Sequence, residues 1–150
     1  MELLLGENLL LNSTTAGLTE EALNDSHIVA LYFGAHWAPP CRLFTDKLRQ
    51  FYLEVNKEFG HLSIVYISDD GSKEAFLRTY ATMGWLALPY EHQDAKLQLK
   101  KMLGINGIPH LHVVAAHSGQ TIAEDASDMV HPDNYVEVYS GWLKTLVAQQ

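Results

Sequence analysis

The stretch that most constrains the fold runs from Ile28 to Gly60. Seven apolar or small residues, Ile28-Val-Ala-Leu-Tyr-Phe-Gly34, lead through Ala35 and His36 into Trp37-Ala38-Pro39-Pro40-Cys41. Continuous rather than alternating hydrophobicity predicts a strand covered on both faces. Beyond the prolines, Phe44, Leu48, Phe51, Tyr52, Val55 and Phe59 recur at helical spacing and mark one apolar stripe, so residues 42–59 read as a long helix. Two prolines suit the first turn of that helix, where a backbone N–H would have no partner, and Gly60 is placed to end it. A buried strand, a sharp turn and a helix carrying a cysteine in its first turn therefore lie in sequence.

The remainder alternates in the same manner. Residues 3–5 and 9–11 are leucine-rich and read as a short hairpin or an edge strand, and Asn12–Gly17 as a turn. Thr19–Leu23 reads as a short helix with Thr19 as N-cap and acids in its first turn. Leu62–Ser68 is a second buried strand. The turn Asp69–Ser72 opens a helix with Phe76, Tyr80 and Met83 on one face. Trp85–Tyr90 is a loop or short extended segment, since Pro89 cannot continue a helix. A helix over 93–103 closes at Gly104, and Ile105–Pro109 leads into a third strand over 110–116. A turn at 117–120, a short strand near 120–124 and a final helix from 131–133 follow, with Tyr135, Val136, Tyr139, Trp142, Leu143 and Leu146 expected inward. Strands alternating with helices, with no repeat or linker, predict one α/β layer domain over residues 1–150.

Charge and cysteine usage narrow the function. The formal net charge is −8, from 10 basic and 18 acidic residues, which argues against general nucleic-acid or anionic-membrane partners. No apolar run reaches the length of a membrane span, and Met1–Gly6 is too short and lacks the basic flank of a secretory signal. Cys41 is the only cysteine, so no intrachain disulfide forms, and a reducing cytoplasm is the expected location.

Four stretches together carry a resemblance. Leu31-Tyr-Phe-Gly-Ala-His-Trp-Ala-Pro-Pro-Cys-Arg-Leu-Phe-Thr45, Val65-Tyr-Ile-Ser-Asp69, Met83-Gly-Trp-Leu-Ala-Leu-Pro-Tyr90 and Gly107-Ile-Pro109 stand in this order. The chain resembles the tryparedoxin and nucleoredoxin-like branch of the thioredoxin superfamily, whose turn reads W-C-P-P-C and whose G-I-P proline is cis. The resemblance implies a thioredoxin fold with a central mixed sheet of about five strands flanked by helices on both faces. It also implies that Trp37, Pro39, Pro40, Ile108 and Pro109 border a binding surface, with His36, His110 and Trp85 around it.

Three positions depart from the branch's pattern: Ala38 stands for the first cysteine, His36 for a small residue before the tryptophan, and His110 for the residue after the proline, commonly threonine. In the family the first cysteine attacks a substrate disulfide as thiolate, and the second, matched here by Cys41, resolves the mixed disulfide. With Ala38 in the first place there is no attacking thiol, and the two-thiol cycle is unavailable. The resemblance then implies a redox-impaired protein-interaction or structural subunit, holding a protein partner or extended peptide at the cis-proline loop. The alternative is a thiol-disulfide oxidoreductase, either a monothiol enzyme using a low-molecular-weight thiol or an inactivated variant of an active one. Cys41, His36 and His110 also raise a Cys–His pair. A fourth ligand is lacking, so neither a metal nor another cofactor is expected.

Overall fold

The computed structural model describes residues 1–150. In chain order the elements are α1 (Glu2–Leu5), β1 (Asn8–Asn12), β2 (Thr15–Leu18), α2 (Thr19–Ala22), β3 (Ile28–Gly34), α3 (Pro39–Glu58), β4 (Leu62–Ser68), α4 (Lys73–Tyr80), β5 (Leu86–Ala87), α5 (Gln93–Leu103), β6 (His110–Ala115), β7 (Thr121–Ala123) and α6 (Tyr135–Ala148). A 3₁₀ turn, Pro132–Asn134, leads into α6. The strands form one mixed sheet in the order β2-β1-β5-β4-β3-β6-β7. β3 lies near the centre, parallel to β4 and antiparallel to β6.

All seven residues of β3 are buried, as its continuous apolar run predicts. Their alternation divides the interior in two. Ile28, Ala30 and Tyr32 pack with Phe44, Leu48, Phe51 and Val55 of α3 and with Phe76, Tyr80, Tyr139 and Trp142. Val29, Leu31 and Phe33 pack on the opposite face against Leu5, Leu99 and Ile105. Each fully buried aromatic or aliphatic side chain contributes roughly 1.5–3 kcal/mol. Helices thus cover both faces, and α3 belongs to the first side.

The sheet has seven strands rather than about five, because residues 15–18 pair with β1 as β2 at one edge and Leu86–Ala87 pair with β1 and β4 as β5. The stretch read as a turn, 12–17, contains most of β2, and residues 3–5 belong to α1 rather than to a strand. Thr19 does not cap α2. Leu18 stands at the N-cap, and the buried Thr19 hydroxyl donates to Gly6 O at 2.7 Å, tying α2 to the end of α1. Helix α3 begins at Pro39, three residues before its apolar stripe suggests, with both prolines in its first turn. Val136 was expected to face inward. It lies 44% exposed, whereas Tyr139 and Trp142 are buried. No helix is long and apolar enough to cross a membrane.

Candidate functional site

Where β3 ends, the chain turns through Ala35–Ala38 into α3, and the turn is fastened to the end of β4. Asp69 N–H donates to Gly34 O at 2.8 Å. Asp70, a buried carboxylate, accepts from His36 N–H at 2.9 Å through one oxygen. Its other oxygen accepts from the hydroxyls of Tyr66 at 2.8 Å and Ser68 at 2.6 Å. Ser68 Oγ in turn accepts from Asp70 N–H at 2.8 Å. Asp69 lies beside Lys96 Nζ at 3.2 Å and pairs closely with Lys100, so α5 is held to the same corner.

Trp37 is 63% exposed, and its indole N–H donates to Asp69 O at 2.9 Å. The ring is therefore oriented while most of it stays open to solvent. His36, Pro39 and Pro40 are also exposed, whereas Ala38 is buried at the N-cap of α3.

Cys41 is only 2% exposed. Its N–H donates to Ala38 O at 2.9 Å, closing the turn, and its carbonyl accepts from the Tyr32 hydroxyl at 3.1 Å. Tyr32 also shares a 2.7 Å hydrogen bond with the Thr45 hydroxyl. Burial pushes the Cys41 thiol above its ordinary pKa. Hydrogen bonding by the Ala35 backbone and Tyr32 pulls it down, and the carboxylates of Asp70 and Asp69 add to the rise. Burial likewise raises Tyr32 and Tyr66. A neutral, covered thiol is the opposite of the exposed, depressed-pKa sulfur that attacks a disulfide.

The Ile108–Pro109 peptide is cis, as the resemblance implies. His110, next in the chain, does not join Cys41. It pairs across the sheet with Phe33, and paired residues project to the same face, the one away from α3. Its ring lies 6.1 Å from that of Phe33, edge to face. Nε2 is 2.7 Å from Glu124 O, and Nδ1 is 3.5 Å from the Asp125 carboxylate. His110 and His112 share this face, as their spacing predicts, with ring centroids 6.4 Å apart. The register thus turns His110 to the face opposite α3, whose first turn carries Cys41, and no group of three His, Cys, Asp or Glu side chains is arranged to hold a metal ion. His36 does border a cleft with Cys41.

Trp85, expected to border the surface, is 4% exposed and packs edge to face on Tyr52 at 5.6 Å. It is a core residue. Asp70 and Tyr32, which organise the turn, were missed by the sequence reading. The signal for Asp70 was an acid pair directly after a buried strand.

The comparisons with known proteins agree with this architecture. A family model described as thioredoxin-like matches residues 25–121. A probable nucleoredoxin 1 of Arabidopsis thaliana is 38% identical over 68% of this chain, which covers 17% of that protein. The mouse nucleoredoxin is 37% identical over 70% of this chain and 24% of its own length, so the chain spans less than a quarter of these curated relatives. Among solved structures, tryparedoxin II of C. fasciculata superposes with a TM-score of 0.76 at 36% identity, covering 81% of this chain and 78% of that one. A tryparedoxin II complexed with glutathionylspermidine superposes at 0.75 with 31% identity, covering 89% and 88%. The strand–turn–helix around Trp37, the cis Pro109 and these matches place the chain in the thioredoxin-like family, on its tryparedoxin and nucleoredoxin-like branch, with one cysteine where the branch's turn carries two.

Proposed function

We propose that the chain is a binding module of this branch that holds an extended polypeptide segment and does not turn over disulfides by a dithiol cycle. The observation that carries the reading is the state of its single thiol: Cys41 is buried, its pKa is raised, and Ala38 occupies the place one turn earlier. One thiol can form a mixed disulfide but cannot resolve it internally.

The binding surface in this reading is the rim formed by His36, Trp37, Pro39 and Pro40 with the Ile108–Pro109 loop and, at its flank, His110. Trp37 supplies exposed apolar area on a tethered ring. Ile108 enters none of the loop backbone hydrogen bonds, which leaves its N–H and C=O for a strand-like ligand. A reducing, cytoplasmic setting suits a lone cysteine. A low-molecular-weight thiol is the second occupant of the same rim, supported by the tryparedoxin complexed with glutathionylspermidine.

Reduced and alkylated insulin B chain, titrated into the ¹⁵N-labelled protein, tests the reading. Shifts are expected at Trp37, Gly107, Ile108 and His110. Shifts confined to other faces, or none at millimolar peptide, would refute it.

A further inference from the structure

The chain has three arginines, Arg42, Arg49 and Arg78, and although its formal charge is −8 all three line one cleft of about 440 Å³ between α3 and α4. Asp46 is the only carboxylate on that wall. It is committed to Arg49, with Oδ1 at 2.9 Å from Nη1. The other arm of Arg49 donates to Thr82 O at 3.0 Å, so this guanidinium ties α3 to the segment after α4.

The other two are not neutralised. Arg42 donates only to an uncharged carbonyl, His36 O, at 2.6 Å. Arg78, exposed on α4, enters no ion pair and donates no hydrogen bond. Tyr32, Tyr66 and Met83 contribute to the lining, and an apolar wall beside charges of one sign concentrates their field. Guanidinium forks bind phosphate and carboxylate oxygens in pairs. The volume lies in the range of small-molecule sites.

We propose that the α3–α4 cleft binds a small ligand bearing two oxyanionic groups, phosphate or carboxylate, gripped by Arg42 and Arg78, while Arg49, paired with Asp46, ties α3 to the segment after α4. The ligand would lie over Cys41 from the helical side. This site meets the polypeptide-binding rim only at His36, whose carbonyl holds Arg42, and its failure leaves the polypeptide-binding reading standing.

The test uses pyrophosphate as the phosphate probe and citrate as the carboxylate probe, by calorimetry and amide shifts. At least one is expected to bind, with shifts at Ala75, Thr79 and Thr82, and the tighter of the two identifies the ligand's chemistry. Arg42→Gln and Arg78→Gln are each expected to weaken binding by about tenfold or more. Lys144→Gln, the same charge change on the exposed side of α6, should alter it less than about twofold. Arg78→Lys retains the charge without the fork and should fall between, which keeps the test informative if a glutamine variant folds poorly. No shift in the cleft with either probe, or equal weakening by Lys144→Gln, would overturn the proposal.

Discussion

Removing the Asp70 carboxylate is expected to loosen the whole Ala35–Cys41 turn, and two substitutions separate the contributions. In Asp70→Ala, three donors lose their acceptor: His36 N–H and the hydroxyls of Tyr66 and Ser68. The Tyr66 hydroxyl retains Gly34 O at 3.3 Å, and Ser68 Oγ still accepts from the residue-70 N–H. The His36 N–H has no second partner. The buried Ser68 hydroxyl is also left with no acceptor for its proton, which costs about 1–3 kcal/mol, and losing hydrogen bonds to a charged acceptor adds to that, so the expected cost is roughly 2–4 kcal/mol. In Asp70→Asn one amide oxygen can keep the His36 bond, while the hydroxyls rotate to accept from the amide nitrogen. That variant loses charge assistance only and should cost roughly 1 kcal/mol. Urea unfolding measures both. Because Trp37 is oriented through the adjacent Asp69 carbonyl, its fluorescence should shift in the alanine variant before global unfolding. A cost below about 1 kcal/mol for alanine, or equal costs for the two variants, would refute the role assigned to Asp70.

Three further outcomes are expected. In Gly34→Ala the new Cβ would lie 2.8 Å from Tyr32 Cε1, on a ring whose hydroxyl is already bound to Cys41 O and Thr45, so urea unfolding should show a loss of roughly 1–3 kcal/mol. Iodoacetamide at pH 7.5 should label Cys41 at least about tenfold more slowly in the native than in the denatured chain, since the native thiol is covered and its pKa raised; equal rates would contradict that picture. His112, packed beside His110 and held by Glu124 O and Thr121 Oγ1, has its pKa lowered mainly by burial, opposed by the Glu124 backbone bond and by the Glu124 and Asp125 charges. The unfolded chain then takes up this proton first as pH falls through about 6.5, so stability falls below that value, and His112→Asn should flatten the dependence between pH 7.5 and 5.5 relative to the parent, in which His27 contributes with the same sign.

The centre of the molecule could be read directly from residue order, and its edges could not. Ile28–Gly34 is covered on both faces, so every position is apolar or small, and the strand announces itself. β1 and β2 close one end of the sheet with a single fully buried residue, Leu9, and their Asn and Thr content imitates a turn. The four residues of α1 are too few for a helical period to show. His110 was placed near Cys41 because it follows Pro109, yet its face depends on the β3–β6 register, where a slip of one residue reverses every side chain. Trp85 had the same difficulty: aromatic residues suit both rims and cores, and only its packing on Tyr52 decides. Arg78 lies on a different helix from Arg42, and only the fold, which sets α3 and α4 on either side of one cleft, brings them together.

The central claim, that the chain keeps the scaffold of its branch without the dithiol cycle, is tested most directly by insulin reduction with a dithiol protein reductase as the sole electron donor, for the chain and for Ala38→Cys side by side. The hydrogen bond from Cys41 N–H to Ala38 O closes a turn whose ends lie within about 7 Å, a span a disulfide can bridge. The chain itself is expected to give no turnover above the reductase alone. Ala38→Cys is expected to form a reducible disulfide with Cys41 and to give measurable turnover, below that of a two-cysteine tryparedoxin assayed alongside because His36 stays beside the turn. Robust turnover by the unmodified chain, or an Ala38→Cys protein that folds but forms no disulfide with Cys41, would contradict the account.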